Sequence, residues 1–144
     1  MGNRIRSFPW TVLVLATVFA GVAHARTWNV EKDGSGDFTV IQDAVDVAED
    51  GDIIMIGPGR YTEYTEYSWG NVYVYLSGDR SLTFVGAGVE QTIIGPDVYP
   101  SGYRDYGVRS DNGLGVYRFE NLRIENQNFR GLAMLNYAVE LVGC

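Results

Sequence analysis

The sequence predicts an all-β fold, a parallel β-helix (solenoid) with an N-terminal capping α-helix, and three observations predict it. A hydrophobic period of 3.6 residues occurs once, over residues 40–49. After residue 52 the period becomes 2, which is typical of strands. Several short apolar runs then end in Gly or Asn at irregular intervals, and no second helical pattern separates them. The last point argues against repeated βαβ units.

The first element along the chain is a leader, predicted to span residues 1–25 as a signal peptide. Arg4 and Arg6 precede an apolar run from Trp10 to Ala20, and Ala23-His24-Ala25 supplies the small-x-small pattern of a cleavage site. An uncleaved anchor is the alternative, although the run is shorter than the roughly 20 residues of a membrane span. We therefore expect a secreted, periplasmic or cell-surface protein whose single domain is residues 26–144.

Charge and composition exclude several classes of function for residues 26–144. Nine basic residues face 18 acidic ones, a formal net charge of −9 that disfavours nucleic acid and anionic membrane surfaces as partners. The one histidine, His24, lies in the leader, so a Ser-His-Asp triad or a histidine metal site is excluded. Cys144 is the one cysteine, which excludes an internal disulfide. No cofactor or metal is predicted.

The helix predicted at residues 40–49 has one apolar face, because Ile41, Ala44, Val45 and Ala48 follow at i, i+3, i+4 and i+7. Acidic residues lie on its other faces. The preceding segment, residues 33–37, reads DGSGD and predicts a turn that leads into the helix. A calcium loop is the alternative for this segment, but the glycine and glutamate that an EF-hand requires at its sixth and twelfth positions are missing.

The strands are predicted where short apolar or alternating runs are bounded by turn residues. Inward-pointing side chains of these runs are expected to form one apolar stack with parallel pairing. A β-sandwich is the alternative, and residues 111–113 (DNG) are its one candidate hairpin turn. Residues 95–115, rich in Gly, Tyr and Asp, are predicted to be an inserted loop. The predicted strands are 53–56, 72–76, 82–85, 122–124 and 139–142, and the predicted stack is Val72, Val74, Leu76, Leu82, Phe84, Leu122, Ile124, Val139 and Leu141.

Three segments carry a resemblance to a known family: DGSGDFTVIQDAVDVA, GDIIMIGPGRYTE and LTFVGAGVEQTIIGP. They resemble the N-terminal part of the pectin-lyase-like superfamily, in particular pectinesterases and secreted bacterial proteins that share their N-terminal cap. The resemblance implies a right-handed parallel β-helix in which residues 40–49 cap one end. The catalytic motifs of pectinesterases, similar to Q-D-T, D-F-I-F-G and G-R-P-W, do not occur here. No catalytic residue is predicted, and we expect a chain truncated at its C-terminus.

Two groups of residues are candidates for function. Six aromatic residues within fifteen positions are predicted to contact carbohydrate, because such rings offer an apolar face and a polar tip together. The alternative is that they are strand residues that pack under a neighbouring loop. A second group, of mixed charge, lies on the predicted loop. Chemistry on a sugar is one interpretation of this group, and a solvated surface is the alternative. The aromatic set is Tyr61, Tyr64, Tyr67, Trp69, Tyr73 and Tyr75, and the charged set is Asp97, Arg104, Asp105, Arg109 and Asp111.

The predicted function is a secreted or cell-surface protein associated with polysaccharide binding or processing, with no complete active site in this chain. Two alternatives stay open: the N-terminal fragment of a pectinesterase-like carbohydrate-active enzyme, and a purely structural or adhesive surface repeat. Polysaccharide is the expected partner. Residues 132–144 are rich in apolar side chains that only a following coil would cover, so self-association through an uncapped C-terminal coil is also expected.

Overall fold

The chain is folded mainly into short β-strands. The computed structural model describes residues 24–98, 104–111, 113–125, 127, 129–134 and 138–144. Most of the predicted leader therefore lies outside the described residues. The elements are β1 (Thr27–Val30), α1 (Ile41–Val47), β2 (Ile53–Ile56), β3 (Gly59–Tyr61), β4 (Thr65–Tyr67), β5 (Gly70–Leu76), β6 (Leu82–Gly86), β7 (Thr92–Ile94), β8 (Asp105–Ser110), β9 (Val116–Glu120), β10 (Arg123–Ile124), β11 (Arg130–Met134) and β12 (Ala138–Val142).

These strands are distributed over three separate sheets. The first sheet has the order β1-β2-β6-β9-β12, and every neighbouring pair in it is parallel. The second, β10-β7-β3, is also parallel. The third, β11-β8-β5-β4, is mixed, because β4 and β5 are antiparallel whereas its other pairs are parallel.

The predicted fold class, a right-handed parallel β-helix, is wrong. The strands belong to separate parallel and mixed sheets, and their pairing does not show a solenoid. The clearest departure is the hairpin β4–β5, in which Tyr67 pairs with Gly70 across the two residues Ser68 and Trp69. The sequence analysis searched for hairpins at Asn-Gly or Asp-Gly turns. This hairpin was missed because its glycine follows the turn.

The helix lies close to its predicted position, and its apolar face is buried as expected. Ile41, Ala44, Val45 and Ala48 are at most 4% exposed, and α1 packs against β1, β2 and β5. The segment before it is the predicted turn: Asp33 Oδ1 accepts hydrogen bonds from the backbone N–H of Ser35, at 2.9 Å, and from its hydroxyl, at 2.6 Å. These bonds lower the pKa of the Asp33 carboxyl.

The apolar core contains most of the predicted stack. Phe84 and Phe119, which are register partners in β6 and β9, stack with ring centroids 4.8 Å apart and an interplanar angle of 11°. The prediction is wrong for Leu141, which is 55% exposed, because β12 is an edge strand with a neighbour on one side only. Self-association through this edge stays a prediction. Val72, Val74, Leu76, Leu82, Phe84 and Leu122 are each at most 1% exposed, and Ile124 and Val139 pack against the core.

The predicted inserted loop is wrong in its central part. Residues 105–110 form β8, which lies between β5 and β11 in the mixed sheet. Asp105, Tyr106, Val108 and Ser110 are all buried. The glycine and aspartate around this strand indicated a loop, but its backbone is paired on both sides, which satisfies the N–H and C=O groups that burial would otherwise leave unpaired.

Phe84→Ala tests the core. Phe84 is 0% exposed and stacks on Phe119, so its truncation leaves a cavity and removes ring contacts. We expect a loss of about 3–5 kcal/mol in the free energy of unfolding, measured by urea denaturation. Met55→Ala is the matched control, because Met55 lies in the neighbouring strand but is 39% exposed. A loss below about 1 kcal/mol for Phe84→Ala would contradict this role for the ring.

Candidate functional site: an aromatic and arginine surface on the mixed sheet

The hairpin β4–β5 places a group of aromatic rings on the mixed sheet. Tyr67 and Trp69 stack with centroids 4.7 Å apart at 10°, and Tyr75 packs against Tyr67 at 5.5 Å. Gly70 closes the hairpin with a φ of 148°, and a side chain there would collide with the backbone oxygen of Arg104. Glycine is therefore required where the hairpin approaches the start of β8.

Arg109 joins these rings to a carboxylate. Its guanidinium lies 3.9 Å from the ring centroid of Trp69 and 4.8 Å from that of Tyr106. The same group forms an ion pair with Asp111, with Nη2 at 2.9 Å and Nε at 3.1 Å from Oδ1. The hydroxyl of Tyr75 lies 3.4 Å from the other carboxylate oxygen of Asp111. Arg109 is therefore held between aromatic faces and its own counterion.

A cavity of about 190 Å³ lies beside this network. We call it the Phe129 cleft, and it is lined by Tyr106, Arg109, Asp111, Phe129, Arg130, Ala133 and Met134. The ring of Phe129 is edge-on to Tyr106, with centroids 5.1 Å apart at 69°. Phe129 is 44% exposed, so the cleft offers an accessible aromatic surface.

Two further arginines flank that ring. The guanidinium groups of Arg104 and Arg130 lie 5.2 and 5.3 Å from the centroid of Phe129. Within the described part of the chain, neither arginine forms an ion pair with a carboxylate, whereas Arg109 is neutralised by Asp111. The Phe129 end of the cleft is therefore locally cationic, although the chain as a whole carries a formal net charge of −7.

Two of the six aromatic residues predicted to contact carbohydrate are buried. Tyr61 is 2% exposed, and its hydroxyl lies 3.2 Å from the backbone oxygens of both Val30 and Gly57. Tyr73 is 6% exposed. Burial raises the pKa of each phenol to about 12, with a further contribution from nearby carboxylates. Both side chains belong to the core, and we leave them out of the candidate site.

Tyr64 is 54% exposed and lies outside the group formed by Tyr67, Trp69 and Tyr75. It packs on Tyr73 at 5.8 Å and lines a separate hollow of about 220 Å³ together with Asp43, Asp46 and Glu63. The hollow has an acidic lining, so its electrostatic character is opposite to that of the Phe129 cleft. The structure thus does not bring the six aromatic residues together on one surface.

The remaining three, Tyr67, Trp69 and Tyr75, are half-buried and pack against one another. Burial raises the pKa of the Tyr67 and Tyr75 phenols. One face of Trp69 is stacked on Tyr67, and the guanidinium of Arg109 also lies over the ring. These rings therefore pack beside the cleft and leave little of their faces accessible to a ligand.

The predicted charged set is also divided. Asp97 pairs with Arg60, at 2.8 Å from Nε, away from the cleft lining. Asp105 is 1% exposed and accepts a hydrogen bond of 2.9 Å from Asn71 Nδ2. Arg109 and Asp111 line the cleft, and Arg104 approaches it through Phe129.

Sequence analysis missed Tyr106, Phe129 and Arg130 as members of one surface. Residues 104–110 (RDYGVRS) contain a tyrosine between two arginines, but the surrounding glycines indicated a loop. Phe129 carried no local pattern, because two of its cleft neighbours, Tyr106 and Arg109, lie in β8 and are 20 or more residues earlier in the chain.

The described ranges hold neither a candidate metal cluster nor a candidate membrane span. In those ranges, no group of three or more His, Cys, Asp or Glu side chains could hold a metal ion. No helix among the described residues is long and apolar enough to cross a membrane.

An alkaline titration tests the placement of the buried phenols. Tyrosine in an unfolded chain ionises near a pH of about 10, whereas the pKa of Tyr61 and of Tyr73 is raised to about 12. The stability from the two neutral phenols is complete below pH ~10 and is lost as the pH rises through about 12. We expect a late step in phenolate absorbance that loses one tyrosine in Tyr61→Phe and one in Tyr73→Phe. A native protein that titrates like its urea-unfolded form would contradict both placements.

Comparison with known proteins adds no family to this description. No family model matches the chain, and no curated protein matches its sequence. The resemblance to the pectin-lyase-like superfamily stays a prediction.

Proposed function

We propose that this chain is an exported protein that binds polysaccharide through the Phe129 cleft and performs no catalysis there. One observation carries the proposal: an accessible phenyl ring lines a cavity with Tyr106 and lies within 5.3 Å of two arginines that have no carboxylate partner among the described residues. Export is inferred from the predicted signal peptide of residues 1–25.

The chemistry of the cleft favours a sugar polymer. Aromatic rings provide flat apolar surfaces that suit the faces of sugar rings, and guanidinium groups provide several N–H donors for hydroxyl or carboxylate oxygens. The cavity, about 190 Å³, is smaller than the roughly 300–1,000 Å³ of pockets that enclose drug-sized ligands. An open site of this size suits one or two units of a long chain that continues across the sheet surface.

The charge of the cleft favours an anionic polymer. Arg104 and Arg130 have no described counterion, so a carboxylate or sulfate on the sugar would supply one. Asp111 disfavours anions nearby, but its charge is already matched by Arg109. The overall negative charge of the chain would repel an anionic polymer from other parts of the surface, and it would therefore favour binding at this end of the mixed sheet.

A hydrolytic role is less well supported. Glycoside hydrolysis generally requires two carboxyl groups about 5–9.5 Å apart. Among the described residues that line the cleft, Asp111 is the one carboxylate, and it is held by Arg109. The alternative of a pectinesterase-like fragment therefore receives no support from this site.

A purely structural or adhesive role is the second candidate, and a specific observation favours it. The rings of Tyr67, Trp69 and Tyr75 pack against one another, and Trp69 also packs against Arg109. An aromatic group of this kind stabilises a hairpin without any ligand. The binding experiment separates the two candidates.

Phe129→Ala tests the binding proposal. We expect affinity for an anionic polysaccharide such as polygalacturonate to fall about tenfold or more, because a sugar ring would lose its stacking surface. Arg130→Ala should weaken binding and reduce its dependence on salt, since one cation is removed. Affinity electrophoresis and calorimetry provide the measurements, with a neutral glucan compared alongside.

Tyr64→Ala is the matched control for that experiment, because Tyr64 is a more exposed ring that lines the separate acidic hollow. It should leave binding unchanged. Equal losses for Tyr64→Ala and Phe129→Ala, or no binding of any anionic polymer by the parent protein, would contradict the proposal and favour the structural role.

Residues 26–144 should not release methanol from methylated pectin or unsaturated ends from polygalacturonate. The physical reason is that residues 26–144 contain no histidine, and that Asp111 is the one carboxylate among the described residues that line the cleft. Colorimetric methanol assay and absorbance of unsaturated products are the measurements. Reproducible turnover that disappears in Asp111→Asn would show that the cleft is catalytic.

A further inference from the structure

Asp52 is a buried carboxylate at the end of the turn that follows α1. It is 4% exposed and accepts three hydrogen bonds: from the backbone N–H of Glu49 at 2.9 Å, from Trp28 Nε1 at 3.0 Å, and from the backbone nitrogen of Arg26 at 2.8 Å. Burial by itself would raise the pKa of Asp52, but these hydrogen bonds and the positive charge of Arg26 outweigh it and lower the pKa.

The donor nitrogen of Arg26 is placed by the first sheet. The carbonyl oxygen of Arg26 accepts a bond of 2.8 Å from the N–H of Ile53, just before the pairing of β1 with β2 begins. The guanidinium of Arg26 lies 3.5 Å from the ring centroid of Trp28, which itself donates to Asp52. Backbone and side chain together therefore fix the position of this nitrogen against the carboxylate.

The same nitrogen belongs to the bond at which the sequence predicts cleavage. Ala23-His24-Ala25 precedes Arg26, and residues 24–26 are exposed and outside any helix or strand. An exposed, irregular segment of this kind is accessible to a peptidase. The backbone nitrogen of Arg26 is therefore both the atom that the predicted cleavage would free and a hydrogen-bond donor to the buried Asp52 carboxylate.

We propose that hydrolysis of the Ala25–Arg26 bond creates an α-ammonium group on Arg26 that forms a salt bridge with Asp52, so that processing strengthens the anchor of β1. A signal-peptidase-like enzyme supplies the catalysis and water is the co-reactant. The C–N bond breaks, the carbonyl carbon of Ala25 gains the water oxygen as a carboxylate, and the nitrogen of Arg26 takes up the protons as –NH₃⁺. This inference rests on the export part of the proposed function and is independent of the polysaccharide binding.

A positive charge on the Arg26 nitrogen would strengthen its hydrogen bond to Asp52, because the three present donors are neutral. Before hydrolysis, its hydrogen-bond donors are two neutral amides and a neutral indole, and the positive charge that lowers its pKa is that of the Arg26 guanidinium. Of the neighbouring charged groups on the adjacent turns, Asp50 accepts a bond of 2.7 Å from the N–H of Ser81, and Arg80 donates to the carbonyl of Ala48. Glu49 contributes its backbone N–H and is exposed. A charge-assisted hydrogen bond is about twice as strong as a neutral one.

The test compares three forms of the protein, each holding every described strand and the helix: a chain that begins at Arg26, the same chain acetylated at that nitrogen, and a chain that begins at Ala25. At pH 6.5 we expect the free Arg26 form to melt about 3–5 °C higher than both others. The ammonium pKa would rise above its unfolded value of about 8, so this advantage is complete below pH ~8 and is lost as the pH rises through the higher folded pKa.

Asp52→Asn supplies the specificity control. In this variant the free and acetylated chains should melt together, whereas Asp43→Asn, which removes the same charge at an exposed position of α1, should preserve the difference. If Asp52→Asn does not fold, the free and acetylated parent chains at pH 6.5 and pH 10 still decide the question. Equal melting temperatures at pH 6.5 would overturn the proposal, as would an exported full-length chain whose N-terminal residue is not Arg26.

Discussion

The in-register parallel pairing of the first sheet is the constraint on which the rest of the structure depends. Ile54, Phe84 and Phe119 occupy matching positions in β2, β6 and β9, and all three are completely buried. A shift of one residue in any of these strands would move its apolar side chains to the opposite face. The register therefore determines both the core and the position at which each chain segment leaves the sheet.

That register determines where functional side chains can lie. The segments that leave the first sheet supply α1, the second sheet and the mixed sheet, which pack on the same core. In the mixed sheet, Tyr75 pairs with Arg109, and Arg109 with Ala133, so a row of side chains crosses three strands. The Phe129 cleft opens beside this row. The position of the cleft is thus a consequence of strand pairing between residues that are far apart in sequence.

Tyrosine is buried at some positions of this chain and exposed at others, and this explains why the sequence did not show which aromatic rings are accessible. Tyr61 and Tyr64 are three residues apart, yet one is 2% exposed and the other 54%. Tyrosine serves equally well as a strand residue in a core and as a surface ring with a polar tip. The local pattern of aromatics therefore did not show which rings are available to a ligand.

The sequence by itself determined several local elements: the helix near residues 40–49, five of the twelve strands and the turn at Asp33. These depend on hydrophobic period and turn residues, which act over a few positions. Only the tertiary structure decided the division into three sheets, the hairpin at Ser68 and Trp69, the strand β8 inside the expected loop, and the meeting of Arg26 with Asp52. Each of these depends on hydrogen bonds or packing between distant segments, and a local pattern contains no information about which distant partner a segment will find.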